Sequence, residues 1–263
     1  MSNHAKKLAD VLHAAAGTPP TKYYTTALIA AAGCSARMGG DTSKQLIEVD
    51  GVAVLARTLL AYEAAETVRE IVLIARREDF DAFLQLAKDH RITKLRRITE
   101  GGSTRQESVR RGLSAVSSKT KFVAIADGAR CLITPQQIDS VNRTAYKTGA
   151  ASAACPAVDS VKIADSSNYV TESPDRTTVW MAQTPQTLSV ELYRAAAYYA
   201  KENGIVATDD TSLVEAIGRS VKLVDCGKEN IKITTPEDVY IGDVCAYPVD
   251  DSPVLRPPVA CGG

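Results

Sequence analysis

A chain of 263 residues is long enough to bury a substantial core, and it suits one large α/β domain with appendages. Its 31 Lys plus Arg balance its 31 Asp plus Glu, which argues against a nucleic-acid-binding or membrane-surface protein, since these carry a basic excess. No stretch reaches the ~20 apolar residues of a membrane span, and the six cysteines stand singly, without the spacing or nearby histidines of a zinc site.

Scattered thiols in a chain of this size predict buried, unpaired side chains in a reducing, cytoplasmic compartment. Near the start, Leu8, Val11, Leu12 and Ala15 recur at helical spacing, which predicts an amphipathic helix rather than a signal-peptide core. Gly17-Thr18-Pro19-Pro20 breaks it, so residues 1–24 form an N-terminal helical extension and the folded domain spans 25–247. Apolar strand-like runs then follow at 27–31, 71–75, 122–126 and 151–156, with a weaker one at 96–99. Helical-period stretches at 54–65, 79–88, 106–116 and 135–147 separate them. Short, continuous apolar strands with helices between them predict a doubly wound, mostly parallel α/β sheet covered on both faces.

From 158 to 183 the pattern changes to short β-like pieces around Ser166-Ser167-Asn168 and Ser173-Pro174-Asp175, which reads as a hairpin protruding from the sheet. A helix at 190–201, a shorter one at 212–218 and a strand at 221–224 follow. Residues 228–238 read as a last strand entering a helix with a Thr cap and Pro in its first turn. The tail 248–263, with four prolines, is expected to be disordered.

Open parallel sheets bind ligands outside the carboxyl ends of their strands. After the first strand come Ala31, Ala32, Gly33, Cys34 and Ser35, small residues that let backbone N–H groups approach an anion, with Arg37 and Lys44 adding positive charge. After the weaker strand comes Gly101-Gly102-Ser103-Thr104-Arg105-Gln106-Glu107-Ser108, and after the third apolar run Asp127-Gly128-Ala129-Arg130. Three polar, glycine-containing loops at one edge make a binding site. Asp127 reads either as a magnesium ligand beside phosphate or as a cap on the next turn. Arg37, Lys44 and Lys232 are the cations that best fit a triphosphate, whereas Arg105 and Arg130 either bind anions or pair with local acids. Cys34 and Cys131 have no histidine partner nearby in sequence, which argues against a thiol nucleophile, and His4, His13 and His90 fall on predicted helices or a helix end.

The motifs occur in a distinctive order: Ala31-Ala32-Gly33-Cys34-Ser35-Ala36-Arg37-Met38 with Ser43-Lys44-Gln45, the 101–109 loop, Ala126-Asp127-Gly128-Ala129-Arg130, Asp159-Ser160-Val161-Lys162, Pro174-Asp175-Arg176, Gln183-Thr184-Pro185-Gln186, Thr208-Asp209-Asp210 and Asn230-Ile231-Lys232-Ile233-Thr234. In this order, from about 26 to 246, the chain resembles the 2-C-methyl-D-erythritol 4-phosphate cytidylyltransferase family, Rossmann-like nucleotidyltransferases. The resemblance implies transfer of a cytidylyl group from CTP to 2-C-methyl-D-erythritol 4-phosphate with release of pyrophosphate, in the non-mevalonate route to isoprenoid precursors. The nucleophile there is the acceptor's own ionised phosphate, so no general base is required, and catalysis rests on positioning and charge neutralisation.

By that resemblance Arg37 and Lys44 stabilise charge on the α- and β-phosphates, Asp127 holds Mg2+, and Lys232 bridges nucleotide and acceptor. Ala31 to Ser35, Gly101, Ser103, Ser108, Asp127 and Gly128 bind CTP, and Arg130, Ser160, Arg176 and Thr208 bind the acceptor. The hairpin at 158–183 becomes a β-arm that clasps a second subunit of a homodimer, which carries Ser160 and the catalytic Arg176 into the neighbouring site. Ala126, Cys131 and Ser43 depart from the family pattern, where His, Pro and Pro are common. The same loops also suit a cytidylyltransferase for another polyol phosphate such as ribitol 5-phosphate. Retention of Arg37, Lys44, Asp127 and Lys232 opposes a non-catalytic nucleotide-binding homologue. A nicotinamide-dependent dehydrogenase is opposed by the glycine spacing at 33–40 and by Arg76 and Arg77 after the second strand.

Overall fold

The computed structural model describes residues 23–33 and 43–247. The expected N-terminal helix, the Pro-rich tail, and Cys34, Ser35 and Arg37 lie outside the described residues. At the centre is β1 (Thr25–Ala30), paired in parallel on one side with β4 (Val68–Ala75) and on the other with β6 (Phe122–Asp127). Between β1 and β4 lie a small hairpin of β2 (Glu48–Val49) and β3 (Val52–Ala53) and the helix α1 (Val54–Ala64). Helix α2 (Phe80–Asp89) leads to the edge strand β5 (Leu95–Glu100), and α3 (Arg105–Ser114) returns to β6. Helix α4 (Pro135–Thr148) precedes β7 (Ala150–Pro156), and the short β8 (Ile163–Ala164) and β9 (Val170–Glu172) pair with each other. Then come β10 (Trp180–Ser189), α5 (Val190–Glu202), α6 (Asp210–Ala216), β11 (Lys222–Asp225) and α7 (Pro236–Cys245). The main sheet runs β11-β7-β10-β6-β1-β4-β5.

The apolar strands are continuous because both faces are covered. Ala27 and Ile29 of β1 pack with Leu55, Leu59 and Phe83 from α1 and α2, whereas Leu28 faces Val109, Tyr193 and Leu213 from α3, α5 and α6. Burying each large aliphatic side chain contributes about 1.5–3 kcal/mol, so alternate residues of one strand stabilise two separate layers. Helix α4 begins on a capping box in which Thr134 and Gln137 satisfy each other's backbone N–H groups, with Pro135 in the first turn, and it ends on Gly149 at φ 83°. Thr235, Pro236 and Asp238 start α7 in the same way.

Two expectations for the chain trace need correction. Residues 180–189 form a ten-residue strand, β10, antiparallel to both β6 and β7. Pro185 conceals it in the sequence, since proline cannot donate to a ladder; the structure places Pro185 where the β10–β7 register shifts, between Ala182 and Gln186, after a cis Thr184-Pro185 bond. The second correction concerns 228–234, which is not a strand of the sheet: it crosses the carboxyl ends, joined there by one backbone bond from Ile233 N to the Ala129 carbonyl at 2.8 Å. Within the 158–183 stretch β8 and β9 pair as a short hairpin, 166–168 is its turn rather than a strand, and 180–183 already belong to β10. The Asp165 carboxylate accepts from the backbone N–H groups of Ser167 and Tyr169, which is turn chemistry.

The carboxyl ends are stitched together one residue beyond the strands. Ala31 N donates to the Ile74 carbonyl at 2.7 Å, Gly128 N to Ala30 at 2.9 Å and Gly101 N to Ala75 at 2.9 Å. The loops after β1, β5 and β6 therefore lie side by side. No helix among the described residues is long and apolar enough to cross a membrane.

Candidate active site

Glycine sits in close quarters at two of these strand ends. A Cβ on Gly128 would stand 3.0 Å from Gln45 Oε1 and 3.2 Å from the Ala30 carbonyl oxygen, and one on Gly101 would stand 2.5 Å from the Ala32 Cβ. The loop after β1 thus leaves little room beside both neighbouring loops. Ala31 is buried, Ala32 half-buried and Gly33 exposed, so the chain rises out of the sheet along this run. Lys44 opens the 3-10 turn Lys44–Leu46, flanked by the buried Ser43 and Gln45.

Asp127 is the electrostatic centre. Its Oδ1 accepts from Arg105 Nη1 at 2.6 Å, its Oδ2 lies 3.1 Å from Lys232 Nζ, and Arg130 Nε stands 3.6 Å from the same Oδ2. Burial alone would raise the carboxyl, but the charges of Arg105, Lys232 and Arg130 outweigh it and hold it at about 2. The side chain therefore faces cations rather than capping the turn that follows. Both loop arginines left open by the sequence pair with acids, Arg105 with Asp127 and Asp210, and Arg130 with Asp127. Burial lowers the Arg130 guanidinium despite Asp127; Arg130 donates from Nη1 to the Asn230 carbonyl at 2.6 Å, while its buried Nε has no hydrogen-bond partner among the described residues.

Lys232 reaches Asp127 because the crossing segment is laced to the amino-terminal part of β10. Asn230 Nδ2 donates to Gln183 Oε1 at 2.8 Å and to the Thr184 carbonyl at 3.1 Å, and Asp127 N donates to Thr184 Oγ1 at 3.0 Å. Ile233 on one side of the segment is buried, which turns Lys232 toward the carboxylate.

Gly101 and Ser108 lie close together, and Ser108 Oγ is engaged within the loop, accepting from Gly102 N at 2.9 Å and donating to the Thr104 carbonyl at 2.8 Å. Ser103 is exposed and bound to the Glu107 carboxylate through both its N–H and its hydroxyl. Backbone and hydroxyl bonds from Ser103, with the Arg111 guanidinium, hold Glu107 at about 2. Thr208 is exposed just before Asp209, the N-cap of α6. Ser160 and Arg176 lie on the exposed excursion. The Arg176 guanidinium contacts the Val158 carbonyl at 3.3 Å, and no hydrogen bond or ion pair among the described residues joins either to the Asp127 group.

Asp210 and Gln186 stand in two of the motifs that carry the resemblance, but the sequence assigned neither a role. Asp210 is 1% exposed and accepts from Arg105 Nε and Nη2, and Gln186 Oε1 accepts from the backbone N–H groups of Asp210 and Thr211. Burial raises the Asp210 carboxyl, and Arg105 opposes that rise. The adjacent pair Asp209-Asp210 was the available signal: Asp209 suffices as the cap, which leaves Asp210 to be explained. Cys131 follows Arg130 but is buried, and burial pushes its thiol up to about 11, so it is no nucleophile at neutral pH.

Transfer chemistry that needs no general base needs cations around phosphates and backbone that approaches an anion closely, and the carboxyl edge of this sheet offers both. The molecule is a nucleotidyltransferase. The family model described as 2-C-methyl-D-erythritol 4-phosphate cytidylyltransferase matches residues 25–246, and the chain belongs to that family. A relative of that name from Synechococcus sp. (strain WH7803) is 43% identical over 214 residues, covering 81% of this chain and 95% of the relative. The crystal structure of 4-diphosphocytidyl-2C-methyl-D-erythritol synthase from Anaerococcus prevotii DSM 20548 superposes with a TM-score of 0.76 at 30% identity, covering 85% of this chain and 96% of that one. The 2-C-methyl-D-erythritol 4-phosphate cytidylyltransferase of Thermus thermophilus gives a TM-score of 0.68 at 29% identity, covering 84% and 98%.

Proposed function

We propose that this chain transfers the cytidylyl group of CTP to 2-C-methyl-D-erythritol 4-phosphate. An acceptor phosphate oxygen attacks the α-phosphorus, the bond from that phosphorus to the bridging oxygen breaks, and pyrophosphate leaves in line. The observation that carries this reading, alongside family membership, is the Asp127 carboxylate set among Arg105, Arg130 and Lys232 at the joined ends of β1, β5 and β6. Lys232, beside Asp127 and 40% exposed on its side chain, is assigned to bridge nucleotide and acceptor. Arg37 and Lys44 are assigned to the α- and β-phosphates, the 101–108 loop to the cytosine end, and Arg130 and Thr208 to the acceptor.

A magnesium ion brought by the triphosphate needs only one or two protein carboxylates, the phosphates and water supplying the rest. Asp127 fits that role as a single ligand. No group of three or more His, Cys, Asp or Glu is gathered among the described residues, so the donor set suits a phosphate-borne ion rather than a resident one. When bound, the ion supplies charge neutralisation on the phosphates.

The homodimer belongs to the same proposal. The excursion exposes Val158, Tyr169 and Val170 at 72%, 74% and 59%, a concentration of apolar surface that supports an interaction arm. Seated on a second subunit, it would bring Ser160 and Arg176 to the neighbouring site. The described cysteines are all free, which supports a cytoplasmic location.

Pyrophosphate release over a panel of four nucleoside triphosphates and several polyol phosphates tests the reading. Turnover is expected with CTP, Mg2+ and 2-C-methyl-D-erythritol 4-phosphate; turnover confined to ribitol 5-phosphate would reassign the acceptor.

A further inference from the structure

Arg105 opens α3 directly after the loop 101–104, and its single guanidinium serves two carboxylates from elsewhere in the chain. Nη1 donates to Asp127 Oδ1 at 2.6 Å, at the end of β6, while Nη2 and Nε stand 2.8 and 3.0 Å from Asp210 Oδ2, at the start of α6. Arg105 keeps 30% of its side chain exposed, whereas Asp210 keeps 1%. Asp210 is therefore out of reach of any substrate. Its one other side-chain partner among the described residues is the Tyr193 hydroxyl at 3.5 Å, too long to hold a buried charge. A buried carboxylate is costly unless paired, and an apolar residue would pack there more favourably.

The pairing has a directional consequence. A guanidinium is planar and presents its donors in a fixed fork, so anchoring Nε and Nη2 on Asp210 fixes where Nη1 points. That commits Asp127 Oδ1 to Arg105 and leaves Oδ2 as the oxygen beside Lys232 and Arg130. Asp210 is itself seated by its backbone N–H on Gln186 Oε1 of β10 at 2.9 Å. The loop 101–104, the end of β6 and the turn 208–210 thus share one rigid joint.

We propose that Arg105, held by Asp210, is a positioning residue that sets the orientation of the Asp127 carboxylate and ties the loop 101–104 to the turn 208–210. The inference rests on the transferase reading, in which the first of these segments faces the nucleotide and the second the acceptor. Arg105 acts through Asp127, and Asp210 acts only through Arg105.

The test compares wild type, Arg105→Lys, Asp210→Asn and the double variant in the pyrophosphate-release assay, in calorimetric titration with CTP and Mg2+, and by melting temperature. Each single variant is expected to weaken CTP–Mg2+ binding about 10-fold and to lower kcat at least about 10-fold, at melting temperatures within a few degrees of wild type. The double variant is expected to stay within about 3-fold of Arg105→Lys, since the two changes break one joint. Effects that multiply, or melting temperatures that move while affinity and kcat do not, overturn the proposal and leave a structural ion pair. If Asp210→Asn does not fold, Arg105→Lys decides alone, and wild-type affinity and kcat overturn the proposal. A wild-type protein without turnover refutes the transferase reading, and the calorimetric comparison then still judges the joint.

Discussion

Lys232 Nζ lies 3.1 Å from Asp127 Oδ2, which joins the segment crossing the sheet after β11 to the end of β6. The lysine is half-exposed and the aspartate buried, so solvent screens the lysine's share of the charge that stabilises Asp127, and the pair holds a cation at the mouth of the site. Lys232→Ala is expected to lower kcat by about 10²-fold or more and stability by no more than about 1 kcal/mol, since Arg105 and Arg130 still face Asp127. Near-normal pyrophosphate release would remove Lys232 from the mechanism.

Asp127 makes stability depend on pH. Its carboxyl is held at about 2, below the ordinary 3.8, with its charge kept by Arg105, Lys232 and Arg130 against the cost of burial. A depressed carboxyl stabilises the fold above its unfolded value, and that stabilisation is lost as pH falls from about 4 toward about 2; the shift corresponds to roughly 2 kcal/mol. Asp210, raised by burial, acts with the opposite sign. Denaturant unfolding of wild type and Asp127→Asn at pH 7 and pH 2.5 isolates the Asp127 contribution. The gap between the two proteins should shrink at the lower pH, and a constant gap would contradict the ion-pair account.

On the proposed reading the same carboxylate ties activity to a divalent ion. Chelation with EDTA is expected to abolish turnover and added Mg2+ to restore it, and Asp127→Asn should raise the Mg2+ concentration for half-maximal rate about 10-fold or more. An unchanged Mg2+ titration would take Asp127 out of metal binding.

Gly101→Ala places a methyl group 2.5 Å from the Ala32 Cβ. Since backbone, not a flexible side chain, carries both atoms, the loops after β1 and β5 must separate, at a cost of about 1–3 kcal/mol. CTP affinity measured by calorimetry is expected to fall at least about 10-fold; full affinity would show that the contact between these loops is not part of nucleotide binding.

Replacing Tyr169 and Val170 together by Asp puts two charges on the exposed apolar surface of the excursion. Sedimentation should report a monomer for this variant and a dimer for the unmodified chain, and turnover should fall with assembly. Arg176→Glu, by contrast, should leave assembly intact and raise KM for the acceptor more than for CTP. An unmodified chain that sediments as a monomer at full activity would rule out the arm acting in trans.

Much of the fold was legible because burial on both sides writes itself into composition. The runs at β1, β4 and β6 are apolar without alternation, and Thr134-Pro135 and Thr235-Pro236 mark two helix starts by capping chemistry that is local by nature. The glycine-bearing loops at the carboxyl ends were legible for the same reason, since close backbone approach demands small residues next to a strand.

Tertiary structure alone decided the rest. Pro185 hid β10 until its place at a register shift was known. Alternation in Ile231-Lys232-Ile233 mimicked a strand, although one side faces a small apolar cluster and the other faces Asp127, two environments that impose a period of two without a ladder. Asp127 read equally well as a turn cap or as a site carboxylate, and only the positions of Arg105, Arg130 and Lys232 separated the two. Arg105 and Asp210 are far apart in the chain, and an ion pair between distant residues leaves no periodic trace in either segment. The sequence determined which strand ends carry the glycine-containing polar loops, because that is local composition; which side chains meet there is a property of packing in three dimensions.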